Sequence, residues 1–128
     1  MKIKIKIGKV EIFATLKETA TAGKVLAALP ITSSAQTWGE EVYFQVPVSA
    51  ALEAEAKQVV VPGTVCFWTQ GKCLALPYGR TPISKGTECR LADRCNILGE
   101  LEGDFKALLG AVRDGDVVSV EQYPARSR

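Results

Sequence analysis

Residues 62–82 carry the sequence PGTVCFWTQGKCLALPYGRTP, in which two β-prone runs surround a glycine. The first run is Val65–Trp68 and the second is Cys73–Leu76. We predict a hairpin here, because Gln70 and Gly71 between the runs can supply the positive φ that a tight turn needs.

The register of this hairpin sorts its side chains into two faces. With residues 70–71 at the centre of the turn, Trp68 lies opposite Cys73 and Phe67 lies opposite Leu74. Because side chains alternate along a strand, one face is apolar and belongs in a core: Val65, Phe67, Leu74 and Leu76. The other face carries Cys66, Trp68, Cys73 and Ala75.

Three motifs occur in an order that is typical of one known family. They are WGEEVYF at residues 38–44, PGTVCFWTQGK at 62–72 and YGRTP at 78–82. With these motifs the chain resembles, over nearly its whole length, a family of small prokaryotic proteins of uncharacterised function with a cyclophilin-like barrel. The resemblance implies a mainly β fold, a closed or half-open barrel of about eight strands with two short covering helices. The residue pattern alone allows a half-open β-roll equally well.

Hydrophobic periodicity and the Gly and Pro positions predict the remaining elements. A first hairpin pairs residues 2–7 with 10–16 around a Gly8–Lys9 turn. A helix starts at Thr19 or Thr21 and ends near Leu29, before Pro30. The other predicted elements are strands at 33–38, 41–46, 59–61, 95–101 and 117–123, a short helix capped by Asp104, one or two helical turns within 49–57, and an irregular loop at 83–94.

The composition limits the classes of partner and compartment. A chain of 128 residues suits one domain, which we expect at 1–124 with a loose tail at 125–128. A net charge of +2 gives no general attraction to nucleic acid or to anionic membranes. The N-terminal lysines alternate with isoleucines, a pattern that favours a strand over a signal peptide, and no segment is apolar enough to span a membrane. We therefore expect a cytoplasmic protein.

Histidine is absent and the four cysteines have no Cys-x-x-Cys spacing. The absence of histidine removes Ser-His and Cys-His nucleophiles and His-metal sites. In a reducing compartment the cysteines are expected to be free thiols that pack as small apolar groups. We predict neither a metal site nor a cofactor.

The outward-facing residues predict a groove for a peptide or small molecule. In the strand at 41–46 we expect Glu41 and Tyr43 to face outward. Aromatic groups with a few polar ones are typical of ligand-binding surfaces. The candidate ligand-binding residues are Trp38, Glu41, Tyr43, Trp68, Tyr78 and Arg80. Tryptophan and tyrosine also commonly complete the rim of a core, so both interpretations stay open for Trp38 and Trp68.

The family resemblance raises the question of peptidyl-prolyl isomerase activity. Cyclophilins place an arginine against the substrate from the strand after the first helix. The corresponding residues 33–38 read SSAQTW here, without an arginine, so we predict that this activity is weak or absent. Two alternatives remain: an amide-type enzyme with Glu41 as base and Arg80 as carboxylate anchor, or an oligomeric structural subunit.

Overall fold

The strands follow one another around a single rolled sheet in the computed structural model, which describes residues 1–124. The expected tail at 125–128 lies outside the described residues. In chain order the elements are β1 (Lys2–Ile7), β2 (Val10–Leu16), α1 (Ala20–Ala28), β3 (Ile31–Ser34), β4 (Gln36–Thr37), β5 (Glu41–Gln45), β6 (Lys57–Val60), β7 (Thr64–Trp68), β8 (Cys73–Pro77), β9 (Cys89–Leu101), α2 (Phe105–Gly110) and β10 (Val117–Tyr123). No helix among these residues is long and apolar enough to cross a membrane.

The sheet rolls until its two ends approach each other. The strand order is β3-β10-β1-β2-β9-β7-β8-β5-β4, and β6 pairs with β9 beside this path. Only Ala35 separates the end strands β3 and β4 in the chain, and the Ser33 hydroxyl donates to the Gln45 carbonyl at 2.6 Å. Among the described residues no ladder joins the two ends. The predicted mainly β fold with two short helices is confirmed, and the barrel is half-open.

The first hairpin has the predicted register and supplies much of the barrel interior. Ile7 pairs with Val10, and Ile3, Ile5 and Ile7 are fully buried. Helix α1 begins after Thr19, whose hydroxyl accepts from the Ala22 backbone N–H at 3.1 Å. Both predicted helices are present, and each contributes to this core through a buried residue, Val25 in α1 and Leu109 in α2.

The central hairpin has the predicted pairing but a different turn. Trp68 pairs with Cys73 and Phe67 pairs with Leu74. The positive φ of 53° belongs to Lys72 and not to Gly71, so that part of the prediction was wrong. Gly71 meets another requirement, because a Cβ there would lie 2.2 Å from the Trp68 ring. The glycine lets the turn pass directly against this indole.

Residues 49–57 do not form the expected helical turns. The buried Asn96 side chain accepts from the Glu53 backbone N–H at 2.7 Å and donates to the Ala51 carbonyl at 2.9 Å. The Glu53 carboxylate accepts from the hydroxyl of Thr21 at 2.6 Å. These tertiary hydrogen bonds hold backbone groups that a local helix would use, so the helix prediction was wrong.

The third correction concerns residues 83–94, of which the last six belong to β9 and not to a loop. The first half of β9 pairs with β6, with Val59 opposite Arg90 and Val60 opposite Cys89. Together they cover the outer face of β7 and β8 and enclose a second core, which comprises Cys66, Ala75, Leu91 and Cys95. β6 and the first half of β9 therefore partly cover the face that was expected to be open to solvent. We call this cover the roof.

Candidate functional site

A pocket of about 290 Å³ lies where this roof meets the outer face of the sheet. We call it the outer pocket. Four of the six candidate ligand-binding residues line it. The full lining is Trp38, Glu41, Tyr43, Trp68, Cys73, Ala75, Leu91, Ala92, Asp93 and Cys95.

The register of three neighbouring strands builds the floor of the outer pocket. Tyr43 of β5 pairs with Ala75 of β8, and Ala75 pairs with Cys66 of β7. Paired residues share a face, and Glu41 lies two residues from Tyr43 on the same side. The alternation of β5 therefore places a carboxyl and a phenol side by side beneath the roof.

Glu41 is on the predicted face but is not solvated. It is 6% exposed, and its Oε1 atom has no hydrogen-bond partner among the described residues. Burial raises the pKa of this carboxyl from 4.5 to about 7. None of residues 1–124 that line the outer pocket is basic, so no cation from this part of the chain compensates the carboxylate charge in the lining.

Trp68 supplies a second buried polar atom, its indole Nε1, which has no hydrogen-bond partner in the part of the chain that the structure describes. Its ring lies against Gly71 on one side and packs on the second core. Trp38 is half-buried, and its backbone N–H donates to the Glu41 carbonyl at 3.0 Å. Both tryptophans line the outer pocket, and Trp68 also has the packing role that was left open.

Gln36 of the neighbouring strand β4 holds the Tyr43 side chain. Its hydroxyl donates to the Gln36 side-chain carbonyl oxygen at 3.0 Å, which links β5 to β4. Burial raises its pKa, and the charges of Cys73, Glu41 and Asp114 raise it further. The phenol is therefore neutral at physiological pH, and Tyr43 contributes to the lining of the pocket.

The structure does not bring Tyr78 and Arg80 to the outer pocket. Tyr78 packs against the barrel core, and Arg80 is exposed. The Arg80 guanidinium donates to the Ser84 carbonyl at 3.1 Å, and its backbone N–H donates to Glu40 Oε1 at 3.0 Å. Both contacts fix the shape of the loop at residues 78–84, which we call the exit loop, so Arg80 is not placed to anchor a ligand beside Glu41.

The four cysteines are free and buried, in agreement with the prediction of free thiols. Burial raises the pKa of Cys95 to about 12 and of Cys89 to about 11, with a further contribution from the Glu41 charge. Burial also raises the pKa of Cys66 and Cys73. Neutral thiols are poor nucleophiles and poor metal ligands. Residues 1–124 contain no group of three or more acidic or cysteine side chains that could hold a metal ion.

Sequence reasoning missed the wall that β9 contributes. Leu91 and Asp93 line the outer pocket, but they lie in the stretch that was predicted as a loop. A signal was present, because Cys89 and Leu91 are apolar and flank the polar Arg90. This short alternation is typical of a strand with one buried face.

Comparisons with known proteins agree with this architecture. The solution structure of the hypothetical protein AF2241 from Archaeoglobus fulgidus is 35% identical, with 94% of this chain and 93% of that chain covered and a TM-score of 0.81. No curated protein matches the chain significantly. A cyclophilin-like family model matches residues 1–121. With a match over nearly its whole length, the chain belongs to the cyclophilin-like family.

Proposed function

We propose that this cyclophilin-like protein binds a small molecule, or a single side chain of a peptide, in the outer pocket. The observation that carries the proposal is a pair of buried polar atoms without a partner within residues 1–124, Glu41 Oε1 and Trp68 Nε1, on two side chains that line one aromatic cavity. A buried polar group without a partner costs about 1–3 kcal/mol, which a ligand with the right groups can offset.

The size of the pocket supports a small ligand. Its volume of about 290 Å³ lies at the lower end of the range of ligand pockets. A small metabolite or one peptide side chain fits such a space, whereas a long peptide segment requires an open groove.

Chemical-shift mapping with a library of small molecules and proline peptides tests this proposal. We expect ligands to shift the indole N–H signals of Trp38 and Trp68. An Arg80→Ala variant is the matched control, because its side chain contacts the exit loop, and we expect it to bind the same compounds. Shifts confined to residues 78–84, with unchanged indole signals, would contradict the placement.

We further propose that peptidyl-prolyl isomerase activity is weak or absent. Catalysis needs a positioned donor or cation that stabilises the twisted amide more than the planar one. In residues 33–38, Thr37 donates through its backbone N–H and its hydroxyl to Asp114, both at 2.7 Å, and Gln36 accepts from Tyr43. Neither Thr37 nor Gln36 carries a charge.

A protease-coupled assay on an Ala-Pro peptide measures this activity directly. We expect a rate close to that of the uncatalysed isomerisation. An acceleration comparable to that of an ordinary cyclophilin would overturn the proposal. If the protein did show such an acceleration and Arg80→Ala abolished it, Arg80 would be identified as the cation that stabilises the twisted amide.

A small-molecule enzyme with Glu41 as general base is the second candidate function. A pKa of about 7 is close to the value at which a general base works best near neutral pH. The carboxylate anchor that this hypothesis assigned to Arg80 would have to come from elsewhere. Full turnover of an identified substrate by a Glu41→Gln variant would remove this candidate.

An oligomeric structural role is the third candidate. Val59 and Val61, in and just after the edge strand β6, are 41% and 74% exposed. Exposed apolar residues at a strand edge favour pairing with another copy. Sedimentation at several protein concentrations tests this role, and a strict monomer at high concentration would exclude it.

Charge and cysteine chemistry support a cytoplasmic protein without a nucleic-acid or membrane partner. Free buried thiols fit a reducing compartment. A net charge of +2 gives no broad attraction to phosphates.

A further inference from the structure

The lining of the outer pocket combines aromatic rings with carboxylates. Trp38, Tyr43 and Trp68 supply the rings, and Glu41 and Asp93 supply the acids. The other lining residues are small or apolar and carry no charge at neutral pH: Cys73, Ala75, Leu91, Ala92 and Cys95. Among the described residues no lysine or arginine belongs to this lining, so the charge that they give it is exclusively negative.

This combination selects for positive charge. The face of an aromatic ring attracts a cation, and the attraction grows when water is excluded. A buried carboxylate adds a Coulomb term that is less screened than at the surface. An anionic ligand would meet two carboxylates and no compensating base.

We propose that the ligand of the outer pocket is a small organic cation, a protonated amine whose ammonium group donates to Glu41 and lies against the aromatic rings. This inference rests on the proposed function, because it names the chemical class of ligand for the same pocket. Glu41 Oε1 has no donor among the described residues, and an ammonium N–H supplies one.

Trp68 Nε1 narrows the class further. It is a buried donor without an acceptor among residues 1–124, and an oxygen atom on the same ligand would supply one. An amino alcohol, an amino ether or an amino amide has the required pair of groups. The preferred ligand therefore carries an acceptor oxygen in addition to its ammonium.

The main competitor is a neutral carbonyl compound that accepts from both Trp68 Nε1 and a protonated Glu41. The two ligand classes require opposite protonation states of Glu41, whose pKa is about 7. The charged and titratable groups that surround Glu41 are Glu40, Tyr43, Cys66, Cys73, Cys89, Asp93 and Cys95. The phenol and the thiols stay neutral from pH 6 to pH 8, because their pKa values are raised above ordinary values that already exceed this range.

The pH dependence therefore has opposite signs for the two classes. An aliphatic amine keeps its charge between pH 6 and pH 8, so its affinity follows the ionisation of Glu41 and rises about tenfold over this range. A carbonyl ligand that needs protonated Glu41 loses affinity over the same range.

Matched fragments make the test sharp. The probe is 3-methoxypropylamine, which carries an ammonium and an ether oxygen. In 3-methoxypropan-1-ol a hydroxyl replaces the ammonium, and in pentylamine a methylene replaces the ether oxygen. N-methylacetamide represents the neutral carbonyl class. Dissociation constants are measured from the indole N–H shifts of Trp38 and Trp68 at pH 6 and pH 8.

We expect the amino ether to bind at least tenfold more tightly than the alcohol at pH 8, and more tightly than pentylamine. Glu41→Gln should weaken amine binding at least tenfold and abolish its pH dependence, while Arg80→Ala leaves both unchanged. Thermal unfolding of each variant verifies that it is folded at both pH values.

The outcomes separate this inference from the proposed function. In two cases the pocket is a binding site but the cation inference is wrong. In the first, the alcohol binds as tightly as the amine. In the second, the amine does not bind and N-methylacetamide binds more tightly at pH 6 than at pH 8. If none of the fragments shifts either indole signal at any accessible concentration, both proposals are overturned.

Discussion

At the scale of single residues, Glu41 lines the outer pocket and, when ionised, lowers the free energy of unfolding. Burial favours the protonated carboxyl, so the folded state retains a proton that the unfolded state loses above pH 4.5. The free energy of unfolding therefore falls as the pH rises from about 4.5 to about 7, and this loss is complete above pH 7.

We predict that Glu41→Gln raises the free energy of unfolding at pH 8 by roughly 2–3 kcal/mol, because the amide removes the cost of a buried charge. Near pH 4 the carboxyl is protonated in both states, and the two proteins should be almost equally stable. Urea unfolding of both proteins at the two pH values measures the difference. A difference that does not change with pH would contradict this account of Glu41.

Gly71 is a residue whose purpose the sequence did not reveal. Its Cβ would meet the Trp68 ring at 2.2 Å, so Gly71→Ala must displace the indole. We predict a loss of roughly 1–2 kcal/mol in the free energy of unfolding and a shift of the Trp68 indole N–H signal.

Gly23→Ala is the matched control for Gly71→Ala. A Cβ at Gly23 has no heavy atom within 4 Å, and the residue lies inside α1. This substitution should stabilise the protein by about 0.5–1 kcal/mol and leave both indole signals in place. Equal behaviour of the two variants would show that Gly71 does not support the Trp68 ring.

At the scale of elements, the sequence pattern correctly predicted those features that neighbouring residues determine. The alternation of Ile and Lys in β1 permits one register only, and that register is observed. Residues 49–57 were predicted wrongly because their Ala and Glu content favours a helix, while a distant amide at Asn96 holds their backbone. Such competition between local preference and tertiary contacts is invisible in the composition of the segment.

Asn96 tests that explanation. Its side chain is fully buried and makes hydrogen bonds to Glu53, Ala51 and Thr21. We predict that Asn96→Ala lowers the free energy of unfolding by about 2–3 kcal/mol and accelerates amide exchange in residues 49–56. Gln58→Ala removes an amide that donates to the Leu91 carbonyl and should leave exchange in 49–56 unchanged. Slow exchange in both variants would contradict the role of Asn96.

The candidate site was predicted only in part, because local strand alternation places some of its residues and a distant segment supplies the others. Strand alternation placed Glu41, Tyr43 and Trp68 on the outer face, and all three line the outer pocket. The burial of Glu41 could not be predicted, because the first half of β9, which lines the same pocket, was not recognised as a strand. The charged residues Arg90, Asp93 and Arg94 interrupt the apolar pattern of that segment, so the pattern does not identify it as a strand.

At the scale of the whole molecule, two cores share one hairpin. The inner faces of β7 and β8 pack in the barrel, and their outer faces pack under β6 and the first half of β9. The second core is small, so we expect it to open without unfolding of the barrel.

A pair of leucine truncations separates the two cores. Leu91 is 1% exposed in the second core, and Leu76 is fully buried in the barrel. We predict that Leu91→Ala accelerates hydrogen exchange mainly in β6 and residues 89–95, whereas Leu76→Ala destabilises the whole sheet by about 2–5 kcal/mol. Native-state hydrogen exchange distinguishes these outcomes, and a uniform increase in both variants would show one cooperative unit.

The pairing of β1 with β10 has a consequence during synthesis on the ribosome. β1 pairs on one side with β2, which follows it directly, and on the other side with β10, whose residues are 117–123. At about 5–20 residues per second, one edge of β1 waits for roughly 5–20 seconds before its partner emerges. An apolar strand edge that stays unpaired for this time can associate with other nascent chains. The charges of Lys2, Lys4 and Lys6 oppose this association. In the finished fold Lys2 pairs with Glu102 at 3.1 Å and Lys4 with Glu121 at 3.3 Å, carboxylates that are synthesised only near the end.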